Sequence, residues 1–319
     1  MARYLVTGGA GFIGSNLTHS LVIRGDDVLV LDDFSSGNLI NLQGVLDEIH
    51  LVEGSICDRH LLNRLTQGID VCFHLAAITS VPRSVDDPWP TNRVNVEGSL
   101  NVFLACRAAG VKRIVYASSS SVYGDSAPIP TPESSPLAPI SPYGITKAAV
   151  DHYARVLTRL YQMEIVGLRY FNVFGPRQNL KSQYAAVIPL FISKMLSGEQ
   201  PVIYGDGLQS RDFTFVDNVV DANLRAADVR GTVSGVYNIA CGESTSVRDL
   251  AGLISSLLGA GIEPKFLPPR PGDIARSLAD LTAAKRAFGY VPLVAVEEGL
   301  RRTIEWYKRR VDASSHLSI

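Results

Sequence analysis

The sequence predicts an α/β protein, a doubly wound parallel sheet followed by a smaller C-terminal lobe. Three observations predict it. Short apolar runs alternate with helical patterns through the first half of the chain. The first of those runs enters a glycine-rich turn that opens a helix. Past Gly175-Pro176 the alternation loses its regularity and the composition turns polar. The expected organisation is a dinucleotide-binding domain at 1–175, a lobe at 176–310 with segments returning to the sheet, and a tail at 311–319.

Composition narrows the function. Of 319 residues 46% are hydrophobic and 19% charged, which suits a folded enzyme and argues against disorder. Thirty basic residues nearly cancel 31 acidic ones, so no positive field invites nucleic acid. No apolar run is long enough to span a bilayer, and the opening Met1-Ala2-Arg3-Tyr4 has no signal-peptide layout. The expectation is a cytoplasmic protein without a membrane partner. Cys57, Cys72, Cys106 and Cys241 stand far apart and read as buried free thiols, not a disulfide frame or zinc site. The six histidines show no ligand spacing, so no metal is expected.

The strand Tyr4–Thr7 runs into Gly8-Gly9-Ala10-Gly11-Phe12-Ile13-Gly14, and a helical pattern continues through Leu17, Leu21 and Val22. That context fits a dinucleotide fingerprint. Gly8 takes the turn, and Gly11 lets N–H groups approach a pyrophosphate at the helix N-terminus. Gly14 lets the helix sit close on the sheet, with Phe12 and Ile13 in the same cradle. The second strand, Asp27–Leu31, ends at Asp32, about twenty residues on. A carboxylate there accepts from the adenine ribose hydroxyls and repels a 2′-phosphate, so NAD is expected over NADP. Ser36, Gly37 and Asn38 continue as a loop beside the same ribose.

Strand three is Ile49–Glu53, and Asp58 caps the helix that follows. Strand four, Val71–His74, leads into Leu75-Ala76-Ala77, whose small residues let a flat cofactor lie against the sheet. Pro82, Arg83, Ser84, Pro88 and Pro90 read as a loop before one long helix holding Asn95, Val102 and Leu104. Strand five, Lys112–Ala117, ends in Ser118-Ser119-Ser120-Ser121, hydroxyls at the crevice end of the sheet. A proline-rich loop then leads to a helix with Tyr143 and Lys147 four apart, on one face. An ammonium beside a phenol lowers the phenol's pKa and lets it trade protons near neutrality. The spacing alone also fits a plain helix start at Pro142; the glycine loop favours chemistry.

Strand six is Ile165–Tyr170. Gly205-Asp206-Gly207 is a turn, and Ser210–Phe213 is expected to return toward the sheet. Arg211 and Arg270 are candidate phosphate grips, with surface pairing to Asp212 and Asp273 as the alternative. Glu297–Arg310 reads as an amphipathic final helix.

With these motifs in this order, the chain resembles the extended short-chain dehydrogenase/reductases, with their Rossmann-type sheet, to about Arg310. Arg169-Tyr170-Phe171-Asn172-Val173-Phe174-Gly175-Pro176 strengthens the likeness. Within them it resembles the UDP-hexose 4-epimerases, above all those acting on UDP-N-acetylglucosamine (UDP-GlcNAc). Ser80-Val81-Pro82-Arg83-Ser84, Tyr184–Pro189 and Gly205–Gly207 carry that closer likeness.

The resemblance implies a catalytic base at Tyr143 and a partner at Lys147 that also binds the nicotinamide ribose. It implies a catalytic Ser119, with Ser120 beside the sugar. Ile56, Leu75, Ala76, Ala77, Asn95 and Tyr170 would line the NAD site. Ser80, Arg83, Asn172 and Tyr204 would touch substrate, Ala186 and Val187 the uridine, and Arg211, Arg270 and Asp273 the diphosphate and uridine ribose. Ser277 takes a place where a small residue admits an N-acetyl group and a tyrosine blocks it. Ser55 replaces the aspartate that relatives present to the adenine, so that contact is weaker here. The helices after strands four and five would form a homodimer interface.

The implied activity is NAD-dependent inversion at C4 of a UDP-sugar through a 4-keto intermediate. A 4,6-dehydratase would need Asp-Glu where this chain has Ser120-Ser121. A UDP-glucuronate 4-epimerase shares every catalytic residue, and a non-catalytic nucleotide-sensing protein is the alternative from another class.

Overall fold

A computed structural model describes residues 2–179, 186–269 and 275–315. The first strands are β1 (Arg3–Thr7), β2 (Asp27–Asp32), β3 (His50–Glu53), β4 (Val71–His74), β5 (Arg113–Ser119) and β6 (Glu164–Tyr170). Between them lie α1 (Phe12–Ile23), α2 (Arg59–Leu65), α3 (Val81–Asp86), α4 (Pro88–Asn92), α5 (Ser99–Ala108) and α6 (Pro142–Tyr161). Then come β7 (Val173–Phe174), α7 (Val187–Leu196), β8 (Val202–Tyr204), β9 (Ser210–Arg211), β10 (Thr214–Phe215) and α8 (Val216–Asp228). The chain continues with β11 (Gly235–Ile239), β12 (Thr245–Ser246), α9 (Val247–Leu258), β13 (Lys265–Leu267), α10 (Thr282–Phe288) and α11 (Val296–Ser315).

The central sheet is seven-stranded and parallel, in the order β11-β6-β5-β4-β1-β2-β3. Its direction of winding reverses between β1 and β4, which opens a crevice at their carboxyl ends. Strand residues alternate between two cores, as period two requires. Tyr4, Val6, Val28, Val30 and Phe73 meet α1 and α8, whereas Leu5, Leu29, Leu31 and Cys72 meet α2, α5 and α6. A further core joins Phe191 of α7, Leu250 of α9 and Leu300 of α11 to Phe174 and Phe215. That core supports the substrate side of the cleft.

Several expectations are corrected. The stretch read as a loop around Pro82, Pro88 and Pro90 is two short helices, α3 and α4. Ser80 caps the first by accepting from Arg83 N (3.2 Å), and Asp87 caps the second by accepting from Trp89 N (3.1 Å). Proline is tolerated in a helix's first turn because its missing N–H has no partner there anyway. The expected long helix around Asn95 is broken in character, with a π-helical segment at Arg93–Gly98 before α5. Ser210–Arg211 does not join the main sheet; it pairs antiparallel with β12, and the returning strand is β11. The final helix runs to Ser315, past the expected start of the tail. Cys72 and Cys106 are buried as free thiols, but Cys57 and Cys241 are only half-buried.

Candidate active site

The cofactor cradle forms where β1 meets α1. Gly8 sits at φ +71°, and a Cβ there would lie 2.6 Å from Ala76 N. The turn is therefore pressed against the Leu75–Ala76 backbone, and only glycine fits. A Cβ at Gly14 would lie 2.0 Å from Gly8 O, so the helix start folds back onto the turn. Gly11 caps α1 with no side-chain hydrogen bond. The first bond back to it comes from Ser15 N (3.0 Å), which leaves the N–H groups of Phe12, Ile13 and Gly14 without intrahelical acceptors. Those donors and the positive helix end suit a pyrophosphate.

Asp32 closes the cradle. Its Oδ2 accepts from Ala10 N and its Oδ1 from Phe34 N, both at 2.9 Å. Each oxygen keeps a lone pair for a ribose hydroxyl. Burial raises its carboxyl above the usual range, and the backbone N–H groups of Phe34, Ala10 and Gly11 hold it back. Gly37 packs against this carboxylate, Ser36 is exposed, and Asn38 ties back through N to Ala10 O (3.0 Å). Asn38 Oδ1 is already used on Ile40 N (3.0 Å).

Ser119, Tyr143 and Lys147 meet at the carboxyl end of β5. Ser141 caps α6 by accepting from Gly144 N (3.1 Å), which sets Tyr143 in the first turn. Burial holds the phenol above its ordinary value, contrary to the expected lowering; the hydrogen bond from Ser119 opposes this without reversing it. Lys147 is not what lowers it here, contrary to expectation. Its Nζ donates to Ala117 O (2.9 Å) and lies 5.9 Å from the Tyr143 ring centroid. Burial pulls the ammonium down to about 8, and Asp151 pushes it back up. Tyr170 stands beside Ser119 across the β5–β6 ladder, with its hydroxyl turned to Asn223 Oδ1 (3.2 Å).

A cavity of about 660 Å³ on the substrate side gathers Asn172, Ala186, Val187, Tyr204 and Arg211. Asn172 stands at φ +34° and donates from Nδ2 to Asp212 O (3.2 Å). Ser277 is drawn toward the same side, its N bonded to Ser210 O (3.1 Å) next to Arg211. Arg270 and Asp273 lie outside the described residues.

The family model for the NAD dependent epimerase/dehydratase family matches residues 4–240, most of the chain. The chain belongs to this family. UDP-glucose 4-epimerase of Mycolicibacterium smegmatis is 41% identical over 97% of this chain and 99% of its own. Among solved structures, a UDP-N-acetylglucosamine 4-epimerase from Methanobrevibacter ruminantium, in complex with UDP-N-acetylmuramic acid, superposes with a TM-score of 0.92. It is 41% identical, over 97% of this chain and 99% of that one. UDP-glucose 4-epimerase of Thermus thermophilus, solved with NAD, has a TM-score of 0.86 at 34% identity, over 96% of this chain and 99% of that one. Like its family, the chain uses NAD, which agrees with the Gly8–Gly14 cradle and Asp32.

Other residues of the site have support roles. Asn95 is 1% exposed; its Oδ1 accepts from Ile78 N (2.8 Å) and its Nδ2 donates to Ile78 O (3.0 Å) and Thr146 Oγ1 (3.1 Å). It fastens the cofactor wall to the catalytic helix, and only one lone pair on Oδ1 remains for a ligand. Ile56 is buried tightly against Gly98, and Ser55 Oγ accepts from Cys57 N (3.2 Å). Ser80 caps α3 and Arg83 is exposed, while Ser84, named in the sequence only as part of that motif, accepts from Tyr143 N (3.1 Å). Ser120 is half-buried in the turn after β5.

His74 was missed as well. Its Nδ1 lies 2.8 Å from Thr7 Oγ1 and its Nε2 2.8 Å from Ser99 Oγ. Ser99 spends its proton on Asn95 O, so Nε2 carries the hydrogen and Thr7 donates to Nδ1. Burial, then the Lys147 charge, pulls this imidazole down to about 3, so it stays neutral. Asp212 is fully buried and accepts from the N–H groups of Cys241, Gly242 and Ala279. A histidine at a strand end is too common to flag, and Asp212, read in the sequence as a surface partner for Arg211, is buried instead.

Proposed function

We propose that the chain is a UDP-hexose 4-epimerase that interconverts UDP-GlcNAc and UDP-N-acetylgalactosamine, with UDP-glucose and UDP-galactose as further substrates. The observation that carries this reading is Ser119, Tyr143 and Lys147 gathered at the end of β5. The glycine cradle lies on one side of that cluster and a nucleotide-sized cavity on the other. The M. ruminantium relative, whose ligand carries an N-acetyl group, and the small Ser277 support the acetamido sugars.

In this reading the Tyr143 oxygen takes the proton from the sugar O4 as the C4 hydride departs. Held by the Gly8–Gly14 turn and Asp32, NAD+ would supply a reversible hydride acceptor and a positive charge that favours the phenolate. Ser119 bridges the phenol and the sugar hydroxyl, lowering the cost of charge on either oxygen. Lys147, fixed by Ala117 O, keeps a cation beneath the site, and neutral His74 adds no competing charge. Arg211, with Arg270 and Asp273, holds the diphosphate and uridine ribose while the 4-keto sugar turns over. Return of the hydride to the opposite face of the turned C4, with Tyr143 giving its proton back to O4, would complete the inversion. Ser120 and Ser121 have no carboxyl for acid–base work at C5 and C6, which disfavours a dehydratase.

The enzyme works as a cytoplasmic homodimer in this proposal and supplies sugars for polysaccharide synthesis. Ile145, Tyr153, Val156 and Leu160 form an exposed apolar stripe along α6, suited to a second copy. Incubation with UDP-GlcNAc, UDP-glucose and UDP-glucuronate separately, with NMR detection of each C4 epimer, tests the reading. UDP-N-acetylgalactosamine is the expected product. Turnover of UDP-glucuronate alone would make it a glucuronate epimerase, and bound NAD with no turnover would make it a sensor.

A further inference from the structure

A cavity of about 560 Å³ lies between α6, the loop around residues 133–137 and the start of β11. Its lining shares no residue with the substrate-side cavity and includes none of Ser119, Tyr143 and Lys147. Its α6 wall carries His152, Arg155 and Arg159, three basic side chains on one face of the helix. Among the described residues no carboxylate pairs with Arg155 or Arg159. Arg155 Nη2 donates to His152 Nδ1 (3.3 Å), which leaves the Nε2–H of that ring for another acceptor.

The opposite wall offers a hydroxyl. Ser135 is 8% exposed, lines the cavity, and its Oγ has no hydrogen-bond partner. A buried hydroxyl left unpaired is costly, so a polar ligand is the expected completion. The acids nearby are already committed. Asp151 pairs with Arg169 at 2.9 Å, and Glu133 Oε1 accepts from Asn238 N (2.7 Å). Leu137 and Ile165 add apolar surface to the same lining.

We propose that this cavity is a second ligand site, which takes a small organic phosphate. Arg155 and Arg159 are one turn apart and fork onto the phosphate oxygens. Ser135 donates from the facing loop, and the apolar lining receives the organic part. Because α6 also carries Tyr143 and Lys147, the occupant sits against the catalytic helix.

The test titrates phenyl phosphate into the NAD-loaded enzyme by calorimetry, with saturating UDP present to fill the nucleotide cleft. Wild type is expected to bind one phenyl phosphate per chain saturably. Arg155→Ala/Arg159→Ala is expected to weaken binding about tenfold or more, and Ser135→Ala to weaken it by a smaller factor. Both arginines are exposed, so the double variant keeps its melting temperature and its epimerase rate without phosphate. Non-saturable binding by wild type, or equal affinity in the double variant, overturns the proposal.

Discussion

The cofactor side of the cleft rests on consecutive long strands with helices between them, whereas the substrate side is pieced together from two-residue strands. Gly8 and Leu75 follow directly on β1 and β4, and Asp32 ends β2; the register of these strands is fixed across the whole ladder. On the other side, β7 pairs with β10, and β9 pairs with β12 beside a single bridge from Ser210 to Arg276, and the Asp212 carboxylate gathers the intervening loops. A continuous sheet resists local change; a patchwork held by a few polar contacts can be retuned by one substitution. The first suits an invariant cofactor and the second a variable sugar.

Tyr143 stands where the two sides meet, and its loss should give the largest effect. Tyr143→Phe keeps the ring and removes the hydroxyl. Turnover is expected to fall by about 10²-fold or more, with NAD content and substrate affinity largely retained. Product NMR and the absorbance of released cofactor measure both. Near-normal turnover would show that another group moves the proton.

Ser277→Tyr tests the substrate side alone. A tyrosine there fills the space assigned to the N-acetyl group, and overpacking of this kind costs about 1–3 kcal/mol. UDP-GlcNAc turnover should drop roughly 10- to 100-fold, while UDP-glucose turnover changes little. An equal loss for both sugars would mean that the loop, not the C2 pocket, had been disturbed.

The same contrast explains what could be read from the sequence. Alternating apolar runs, the spacing of Gly8, Gly11 and Gly14, and Asp32 at the end of β2 are local signals, because each unit folds against its neighbours. Pro82, Pro88 and Pro90 misled because proline breaks a helix's interior yet starts one well, and only the caps Ser80 and Asp87 tell the two apart. β11 was missed and β9 was placed with the sheet because membership of a sheet is a long-range fact that two polar residues at Ser210-Arg211 do not encode. Asn172 and Val187 came from family likeness alone, and Arg211 from its guanidinium chemistry without a location, since their shared cavity joins segments far apart in the chain.

Asp212 allows the patchwork to be weakened without touching the sheet. Burial raises its carboxyl to about 6 despite the N–H groups of Ala279, Cys241 and Gly242. A folded-state value above the unfolded 3.8 means its contribution to stability is full below pH ~4 and lost as pH rises through about 6. Asp212→Asn turns an amide donor toward backbone donors, leaving one unsatisfied, and should destabilise by roughly 1–3 kcal/mol. Denaturant melts should also show a flatter pH dependence between pH ~4 and ~6 than wild type.

The smallest effect should come from behind the catalytic helix. Lys147 is pulled to about 8 by burial, and the charge that opposes this is Asp151, one turn further along α6. Tyr116 and Arg169 both donate to Asp151, at 2.8 and 2.9 Å, so the carboxylate is held in place. If the cationic form of Lys147 is the active one, kcat/KM falls as pH rises through about 8. Asp151→Asn removes the anion that favours the ammonium, so this alkaline limb should move to lower pH. The substitution also loosens Arg169, which lowers the height of the profile; the position of the limb is therefore the informative quantity. A limb that stays in place would mean that the group titrating there is not Lys147.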